Sequence, residues 1–536
     1  MQLKPRYLLM AVLAASAIIR FWGLGSAELF HDEGLYAFRS IGYLDYLKNE
    51  DQTTPIQWFQ NTGLPTWTAL SFHDHPPFFF LVQNIFFRVF GDSLFVARVP
   101  SALAGIFAAY CMYLLGKRFF KNEYAGIISA FLLSISLMHI WISRSSLMES
   151  VLVALILWNI YLFFRWIDNP RRWILFGVTL GLCFLTKYTS FFLIPVYGAY
   201  LLIAHRSLFR TRSFYAVCVC AGLIFSPVIL YNIFLFQATG HFDLQFAYVF
   251  GQETPEWRAS FGKILDPFSD IFKNLQTMYS IPSLFLFVGG LIYSIIAWFK
   301  TRNTYIVFGW LTLLGITAML GAVGAGFRFI ALYAPFFIFF IVLLASFFYQ
   351  KYRQSQLIKI VCIAFIVYEL VFSIQGIFIE FPDFGVRKLD QYFDEAFGTA
   401  RSLYIPQSDN PHLNEIIKSN ALKYPVGKKV LIVYDENIGL SQKLWLFSRR
   451  LYYHAIPVTT VRQFTNTLRD NGISYFAGYE IYFVKATSYT QINQSLFLDD
   501  GDRFETFVST ELGIVPDRII YGHYDVPMFI IYTFVL

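Results

Sequence analysis

The feature that most constrains this chain is a series of long apolar segments separated by short clusters of basic residues. A helix needs about 20 apolar residues to cross the roughly 30 Å of hydrocarbon in a bilayer. Hydrophobic residues make up 56% of the 536 residues and charged residues only 14%, whereas globular proteins average about 25% charged residues. The sequence therefore excludes a disordered chain, a coiled coil and a cytosolic enzyme. We predict about eleven transmembrane helices, at 7–25, 93–116, 124–143, 150–166, 172–187, 188–204, 214–236, 281–299, 304–324, 327–348 and 357–379.

The basic clusters predict the topology of these helices. With the N-terminus cytoplasmic, the inside segments carry 16 Lys and Arg residues and two acids, whereas the outer loop 26–77 carries seven acids and two bases. The positive-inside rule favours this orientation, with the C-terminus extracytoplasmic. A short apolar run at 78–91 is predicted to be an interfacial helix, because a further crossing there would reverse every later loop. The net charge of +7 thus reflects topology and predicts no nucleic-acid partner.

The composition changes after residue 380. The tail holds 18 acids and 15 bases with ordinary turn residues, and we predict that 380–536 is a soluble α/β domain following a transmembrane module at 1–379, whose outer loops are 26–92 and 237–280. Parallel strands are expected from the strand–helix–strand order, and no glycine-rich phosphate loop accompanies them, so no nucleotide is assigned. The predicted strands are KKVLIVYDE, IPVTTV and ISYFAGYE, and the predicted helices are GLSQKLWLFSRRLYY and RQFTNTLRDNG, the latter closed by Gly472.

Ionisable residues inside the apolar segments are the next feature, because each costs about 2.5–3.5 kcal/mol on insertion scales. In the predicted topology most of them lie near the outer ends of their helices, where together they would form a charged cavity. Plainer interpretations remain open: Arg20 and Arg98 could snorkel, and Glu149 could pair with Arg144 to cap a helix. Glu369 lies mid-helix and has no role in this interpretation. The residues near the outer ends are Arg20, Arg98, Arg144, Glu149, Lys187 and Arg328.

Two acidic residues, Asp32 and Glu33, follow the first predicted span directly. They could form a helix cap. Alternatively, one carboxylate acts as a base while the cations hold an anionic group, for which phosphate is suited because Lys and Arg both bind it. Removal of a proton beside a stabilised phosphate leaving group is the chemistry of group transfer from a lipid phosphate.

The histidines of FHDHPPF and the cysteines are the remaining candidate ligands. His73 and His75, with one Asp between them, have the residue types that bind a metal, although a lone His-x-His pair is more often not a metal site. All five cysteines lie in apolar runs, where they are expected to be small buried side chains. The cysteines therefore predict neither a metal site nor a disulfide framework, and His73 and His75 remain candidate metal ligands.

Five blocks in order carry a resemblance to a known superfamily. The chain resembles the protein O-mannosyltransferases and aminoarabinose (lipid A) transferases, membrane glycosyltransferases of the GT-C fold. It departs from the family pattern in having Glu149 where an Asp is usual, and His75 where some members have Lys. The blocks are RFWGLGSAELFHDEGLYAF, HDHPPFFFLVQNIFFRVFGDSLFVARVPSALAGIF, HIWISRSSLMESVLVALILW, FGVTLGLCFLTKYTSFFLIP and GFRFIALYAPFFIFF, within 1–350.

The resemblance implies a reaction and a role for each residue. A sugar would pass from a polyprenyl-phosphate donor to an acceptor hydroxyl, with inversion at the anomeric carbon. Asp32 would be the general base, and Glu33 and Glu149 would orient the acceptor, the donor sugar or cations. The residues implied to bind the donor phosphate or sugar are Lys187, Arg328, Arg144, Glu149, His75 and Tyr36.

The expected partners follow from this reaction. They are the lipid-linked donor, a protein, lipid or glycan acceptor, and membrane lipids; no cofactor is required, and the need for a divalent metal stays open. We expect a multi-pass protein of a prokaryotic plasma membrane. The alternatives are a lipid or glycolipid transporter or flippase, which would place polar groups at mid-membrane in repeated halves, and a scaffold protein that binds a partner through its tail.

Overall fold

A computed structural model divides the chain into two compact units. The membrane unit comprises Met1–Gly25, Tyr43–Leu47 and Thr53–Glu380, and the α/β unit comprises Ser26–Gly42, Lys48–Gln52 and Phe381–Leu536. The prediction placed residues 26–42 in the transmembrane module, whereas the structure groups them with the C-terminal residues. The described residues are 4–29, 32–43, 45–46, 52–53, 72, 74–252, 267–352, 354–378, 383–398, 400–407, 411–487 and 499–536.

The membrane unit is helical, as its apolar runs predict. Its helices, with the α/β unit's α2 included to keep chain order, are α1 (Pro5–Phe21), α2 (Glu33–Gly42), α3 (Phe78–Phe90), α4 (Leu94–Phe120), α5 (Glu123–Ile135), α6 (Leu137–Arg144), α7 (Met148–Asp168), α8 (Trp173–Thr186), α9 (Leu193–Ala204), α10 (Arg212–Thr239), α11 (Leu244–Phe250), α12 (Pro267–Met278), α13 (Ile281–Thr301), α14 (Thr304–Val323), α15 (Ala334–Tyr352) and α16 (Gln356–Phe378). Short 3₁₀ turns at Tyr188–Phe192 and Phe327–Tyr333 precede α9 and α15. Two two-residue strands, β1 (Asp45–Tyr46) and β2 (Gln52–Thr53), lie between α2 and α3.

Each predicted span coincides with a helix or a pair of helices, and the protein is a multi-pass membrane protein. Within the described residues, seven helical runs are long and apolar enough to cross a bilayer. Helices α5 and α6 form an eighth candidate, bent by 61° between Ile135 and Leu137. The other three predicted spans fall on shorter helices, so the count of eleven stays a prediction. Helix α3, the predicted interfacial helix, has only 13 residues.

Close packing in the membrane unit uses small residues. Helix α8 carries Gly177 and Gly181, one turn apart, on the side that meets α10. A Cβ at Gly181 would lie 2.6 Å from Cβ of Ile224, and one at Gly177 would lie 2.9 Å from Cβ of Cys220. Small residues at this spacing let two membrane helices approach until their backbones nearly touch. The block FGVTLGLCFLTKYTSFFLIP is thus packed against α10 through its own glycines.

Glu369, which had no predicted role, fastens α16 to its neighbours. Its carboxylate accepts a hydrogen bond from the Ser280 hydroxyl, which precedes α13. One turn further on, the Ser373 hydroxyl donates to the carbonyl of Ile135 at 2.6 Å. The bend after Ile135 releases that carbonyl from the regular helical ladder, and in hydrocarbon such a group needs a partner. Glu369 and Ser373 are therefore polar anchors of a helix whose apolar window is only 11% buried.

The α/β unit contains a five-stranded mixed sheet in the order β4–β3–β5–β7–β6. Strands β3, β4 and β5 are parallel, and β7 runs antiparallel to both β5 and β6. Its core includes Leu431, Val433, Phe464, Phe483 and Tyr532. The elements are α17 (Val386–Phe397), α18 (Pro411–Ala421), β3 (Val430–Tyr434), α19 (Leu440–Lys443), a π-helical turn at Leu444–Ser448, α20 (Arg449–Tyr453), β4 (Val458–Thr460), α21 (Val461–Asn471), β5 (Glu480–Ala486), α22 (Asp500–Thr506), a π-helical turn at Phe507–Glu511, β6 (Arg518–Tyr521) and β7 (Pro527–Val535).

Two of the three predicted strands and both predicted helices are present, and α21 ends at Gly472 with a positive φ of 77°. The strand predicted at ISYFAGYE is wrong. Residues Ile473–Phe476 form a 3₁₀ turn, and the strand begins only at Glu480. Ile473 and Tyr475 are exposed, and Gly478 turns the chain with a φ of 75°, so the alternating pattern is not that of a half-buried strand. The expected parallel pairing is confirmed for β3, β4 and β5, and the sequence analysis did not predict β6 and β7, which add antiparallel pairs.

Candidate functional site

The charged residues of three separate helical regions meet in one buried cluster of the membrane unit. Oε1 of Glu149, at the start of α7, accepts a hydrogen bond from Nζ of Lys187 at 2.5 Å. The same oxygen pairs with Nε of Arg328 at 3.0 Å. The Glu149 and Lys187 side chains are 2% and 8% exposed, and that of Arg328 is 20% exposed. Two cations therefore share a single carboxylate oxygen at the edge of a buried region.

A break in the helical backbone presents Lys187 to this cluster. Helix α8 ends at Thr186, and Lys187 is extended, with φ of −164° and ψ of 136°. Its N–H donates to the carbonyl of Cys183 at 3.1 Å. Its carbonyl accepts from the N–H of Ser190 at 3.0 Å and from the Ser190 hydroxyl at 2.7 Å. These three bonds satisfy the backbone of the break and hold the lysine in a defined direction.

An aromatic ring lies beneath both cations. Nζ of Lys187 is 4.2 Å from the centre of the Phe329 ring, and the guanidinium carbon of Arg328 is 5.4 Å from it. A ring face attracts cations by its quadrupole, by about 0.5–2 kcal/mol. Because Phe329 lies in the 3₁₀ turn that also carries Arg328, one short segment supplies both a cation and its support.

The second oxygen of the central carboxylate has unused bonding capacity. Within the described residues, Oε2 of Glu149 is buried and makes no hydrogen bond. A buried carboxylate oxygen without a donor is costly, by about 1–3 kcal/mol or more for a charged group. A hydroxyl of a bound molecule would satisfy it. This oxygen is therefore the place in the cluster where a ligand hydroxyl would be recognised.

Arg144 occupies a different position from the one that its pairing with Glu149 would require. Its Nη1 donates to the carbonyls of Ile19 at 2.6 Å and Trp22 at 2.8 Å, which belong to the C-terminal end of α1. Cations stabilise this end of a helix, where carbonyls lack helical partners. Among the described residues Glu149 forms its ion pairs with Lys187 and Arg328, so the Glu149–Arg144 pair is a wrong interpretation.

Arg20 and Arg98 are also buried and do not snorkel. Nη1 of Arg20 donates to the Ser16 hydroxyl at 2.7 Å, and its Nη2 contacts Nδ1 of His139 at 2.8 Å. Arg98 donates to the carbonyl of Leu24 at 2.9 Å. Arg20, Arg98 and Arg144 thus each donate to backbone carbonyls of α1 or of the residues that follow it, contacts that sequence alone could not reveal.

The candidate metal ligands are only partly described. Nδ1 of His75 lies 3.0 Å from Oδ2 of Asp74. His73 lies outside the described residues. In the part of the chain that the structure describes, no three His, Cys, Asp or Glu side chains converge as metal ligands would. The geometry therefore supplies no argument for a metal.

Asp32, Glu33 and Tyr36 lie in the α/β unit. Asp32 immediately precedes α2 and is partly exposed, whereas Glu33 and Tyr36 are buried. The Tyr36 hydroxyl is 3.4 Å from Oδ2 of Asp32. Helix α2 packs against α19, and a Cβ at Gly34 would collide with the carbonyl oxygen of Ser441. The glycine after the acidic pair is therefore required for this packing.

Sequence reasoning missed Asp243, a buried carboxylate beside the Lys187 break. It accepts a hydrogen bond from the hydroxyl of Tyr188, the residue after Lys187, at 2.7 Å. Burial, the largest contribution, raises the pKa of its carboxyl to about 6, against the hydrogen bonds of Asn232, Phe246 and Tyr188. The residue directly precedes the apolar helix α11, a common position for a capping Asp. That signal indicates a cap but cannot reveal a partner 55 residues away in sequence.

A family model and two curated relatives match part of this chain. The model of the dolichyl-phosphate-mannose-protein mannosyltransferase family matches residues 74–231. YkcB of Bacillus subtilis (strain 168), which carries the name of a mannosyltransferase, is 27% identical over 190 residues, or 34% of this chain and 26% of that protein. The undecaprenyl phosphate-alpha-4-amino-4-deoxy-L-arabinose arabinosyl transferase of Wigglesworthia glossinidia brevipalpis is 27% identical over 145 residues, or 25% of each chain. The matched segment thus spans about a quarter of each relative.

The similarity of structure extends over nearly the whole chain. ArnT from Cupriavidus metallidurans in the apo state superposes with a TM-score of 0.55 at 13% identity, covering 98% of this chain and 97% of that one. ArnT bound to undecaprenyl phosphate gives 0.53 at 13% identity, with the same coverage. An oligosaccharyltransferase of Archaeoglobus fulgidus gives 0.50 at 15% identity over 89% of this chain and 68% of that one. The chain therefore has the GT-C fold, which confirms the predicted fold class.

Proposed function

We propose that this protein transfers a sugar from a polyprenyl-phosphate donor to the hydroxyl of an acceptor, with inversion at the anomeric carbon. The observation that carries the proposal is the buried cluster of Glu149, Lys187 and Arg328. It combines two cations, which suit a phosphate, with a carboxylate oxygen that makes no hydrogen bond among the described residues. A phosphate linked to a sugar supplies the two matching groups, an anion for the cations and a hydroxyl for the carboxylate oxygen.

The reaction assigns a task to each charge. The acceptor oxygen bonds to the anomeric carbon while the bond from that carbon to the donor phosphate oxygen breaks, and its electron pair passes to the phosphate. Lys187 and Arg328 stabilise the charge that develops there, as fixed cations do in a low-dielectric site. Asp32 takes the proton from the acceptor hydroxyl. Glu149 binds a sugar or acceptor hydroxyl through Oε2, and Glu33, Tyr36, His75 and Arg144 keep the orienting and donor-binding roles that the family resemblance implies.

The relatives support this proposal through what their names state. One is an arabinosyl transferase that uses an undecaprenyl phosphate sugar, and the similar ArnT structure holds undecaprenyl phosphate. By analogy, we place this protein in a prokaryotic plasma membrane, with the N-terminus cytoplasmic and the α/β unit extracytoplasmic. The lipid tail of the donor stays in the bilayer while its phosphate reaches the interface, so no nucleotide and no soluble cofactor is required.

Neither the transporter nor the scaffold alternative is supported by a specific observation. A transporter of the repeated kind would place its polar groups at mid-membrane on broken helices. The one mid-helix acid of the prediction, Glu369, is used to hold α16 through Ser280. A buried charge cluster with an unsatisfied oxygen is not expected of a scaffold.

The test is donor turnover by purified protein in lipid nanodiscs. A panel of labelled undecaprenyl-phosphate sugars is offered with a bacterial membrane extract as acceptor source, and both released undecaprenyl phosphate and labelled product are measured. We expect one donor to be consumed by the wild type and not by Asp32→Asn. The matched control is Asp470→Asn, the same change at an exposed residue of α21. If Asp32→Asn still turns over the donor, Asp32 is not the general base. If the folded wild type consumes none of the donors, the transferase proposal is wrong, and lipid flipping becomes the next assay.

A further inference from the structure

Asp243 ties three segments of the membrane unit together through one carboxylate. Its Oδ1 accepts hydrogen bonds from the backbone N–H groups of Gln245 and Phe246, at 3.1 and 3.0 Å, and so caps α11. Its Oδ2 accepts from the hydroxyl of Tyr188 at 2.7 Å and from Nδ2 of Asn232, in α10, at 2.8 Å. The Asp243 N–H donates to Oδ1 of Asn232 at 2.7 Å. The carboxylate is 1% exposed, and both of its oxygens are bonded.

The residue that Asp243 holds, Tyr188, is the immediate neighbour of Lys187. The Tyr188 ring packs against Phe246, with ring centres 4.6 Å apart, and stacks on Phe191. Its only polar atom beyond the backbone is the hydroxyl that points to Asp243. The extended residue Lys187 therefore lies between a helix end on one side and a tyrosine fixed at both ring and hydroxyl on the other.

We infer that Asp243 is a positioning residue for donor binding: through the Tyr188 hydroxyl it holds the break after α8 in the conformation that directs Lys187 to the donor phosphate. The inference rests on the proposed function of Lys187 and extends it to a carboxylate that touches no substrate. An extended residue at a helix end has other backbone conformations within reach, including continuation of the helix. The Asp243–Tyr188 bond adds to the three backbone bonds of Lys187 in selecting one of them. A charged acceptor makes this bond stronger than a neutral one, about twofold in typical cases.

The experiment measures binding of one probe, undecaprenyl phosphate, to the full chain in nanodiscs. Tyr188→Phe removes only the hydroxyl that reaches Asp243 and keeps the aromatic packing. The matched control is Tyr197→Phe, which removes a buried tyrosine hydroxyl that donates to Oδ1 of Asn159 at 2.7 Å, within the same unit but in another hydrogen-bond network. We expect Tyr188→Phe to weaken binding of the probe about fivefold and Tyr197→Phe to weaken it less than twofold.

A double-mutant cycle separates positioning from a general loss of structure. If Asp243 and Tyr188 act through Lys187, Tyr188→Phe has less than a twofold effect in a Lys187→Gln background. Asp243→Asn tests the carboxylate itself, and we expect it to match Tyr188→Phe or exceed it, again only while Lys187 is present. A fivefold effect that persists without Lys187 would mean that the network is merely structural, and would overturn the inference.

The two proposals fail in different ways. If Lys187→Gln weakens binding of undecaprenyl phosphate and Tyr188→Phe does not, the positioning role of Asp243 is wrong while the role of Lys187 stands. If Lys187→Gln itself leaves binding of undecaprenyl phosphate unchanged, the phosphate site is wrong and the positioning role falls with it. Asp243→Asn alone could fail to fold, because it alters the cap of α11 as well, and Tyr188→Phe keeps the inference testable in that event.

Discussion

Each unit of this protein places a carboxylate between two cations, and the two arrangements differ in how completely the carboxylate is bonded. In the α/β unit, Oδ1 of Asp390 accepts from Arg449 at 2.7 Å and from Arg450 at 2.6 Å, and Oδ2 accepts from the indole N–H of Trp445 at 3.0 Å. Burial acts to raise the pKa of Asp390, but the two arginines and these hydrogen bonds outweigh it, so the pKa lies below its usual value. Both oxygens are in use.

The membrane cluster has the same charges but a different use of its oxygens. Oε1 of Glu149 takes both Lys187 and Arg328, and Oε2 has no hydrogen-bond partner among the described residues. A saturated buried network specifies a fold, whereas a partly satisfied one leaves a group that a ligand can complete. We propose that this unused bonding capacity distinguishes the membrane cluster, as a candidate binding site, from the structural cluster around Asp390.

The largest expected effect is on stability and lies in the saturated network. Asp390→Ala leaves two buried arginines without their shared acceptor and should destabilise the α/β unit by about 3–5 kcal/mol. Chemical unfolding of the full chain, followed by a probe in this unit, measures the loss. Asp394→Ala is the control: it also removes a partner of Arg450, but its side chain is 62% exposed, so about 1 kcal/mol or less is expected. Similar losses of unfolding free energy in the two variants would mean that Asp390 is no more important to the network than the exposed Asp394.

The next effect is on activity and lies in the unsaturated cluster. Lys187→Gln should lower kcat/KM for the donor about 100-fold, because it removes a cation from the leaving phosphate. Its cost in stability should be only about 1–2 kcal/mol, since Arg328 still pairs with Glu149. The control, Lys117→Gln, alters a lysine paired with Glu123 that is 46% exposed, and should leave donor turnover unchanged. If Lys187→Gln instead lost stability like Asp390→Ala and kept its activity, the membrane cluster would be structural.

The carboxyl of Glu28, a partly buried residue, tests whether removal of a carboxyl from water has a measurable cost in stability. Oε1 of Glu28 accepts from the N–H of Leu29 at 2.7 Å and of Arg387 at 3.1 Å, and the neighbouring carboxylate of Asp383 disfavours its ionised form. Burial raises the pKa of Glu28 to about 7 from 4.5. The folded state therefore binds the extra proton, and stability falls as the pH rises from about 4.5 to 7. Glu28→Gln keeps a donor for Asp383 without ionising.

We therefore expect Glu28→Gln to be more stable than the wild type at pH 8, by about 2 kcal/mol, and no more stable at pH 4.5. Unfolding at the two pH values measures the difference. An equal effect at both values would mean that Glu28 is ionised throughout, and that its hydrogen bonds offset its burial as they do for Asp390.

The smallest effect is expected at the most exposed member of the membrane cluster. Arg328→Lys keeps the charge but loses the planar guanidinium that contacts both Glu149 and the Phe329 ring. With a side chain 20% exposed, it should lose about fivefold in kcat/KM, or about 1 kcal/mol. A loss of kcat/KM as large as that of Lys187→Gln would show that the geometry of the Arg328 guanidinium, and not only its charge, contributes to phosphate binding.

Much of the fold could be predicted from the sequence, because hydrocarbon thickness leaves an apolar segment few options. The predicted spans all became helices, and β3, β4 and α21 lie where periodicity placed them. The segment at 473–480 failed, because exposure of Ile473 and Tyr475 and the turn at Gly478 depend on packing that local alternation does not record. Strands β6 and β7 were missed, and with them the antiparallel half of the sheet.

The sequence could predict which residues belong to the candidate site but not which of them contact each other. A lysine or glutamate within an apolar run is costly enough to stand out, and Glu149, Lys187 and Arg328 were identified on that basis. Which cation pairs with which anion depends on how the helices pack, so the sequence left open a Glu149–Arg144 pair, whereas Lys187 and Arg328 are the partners of Glu149. Asp243 lies in a loop, where an acid carries no such cost, and its bond to Tyr188 is invisible without the fold.

Helix α16 has a practical consequence for extraction of the protein. Only 11% of its most apolar stretch is buried, whereas 72% of that of α7 is buried, so the rest of the protein covers little of α16. Its polar anchors at Ser280 and Ile135 are of a kind worth about 0.6 kcal/mol each. A short-chain detergent that replaces the surrounding lipid will release α16 before any other candidate span. Nanodiscs or long-chain maltosides will keep it in place, and sample heterogeneity in harsher detergents will begin at this helix.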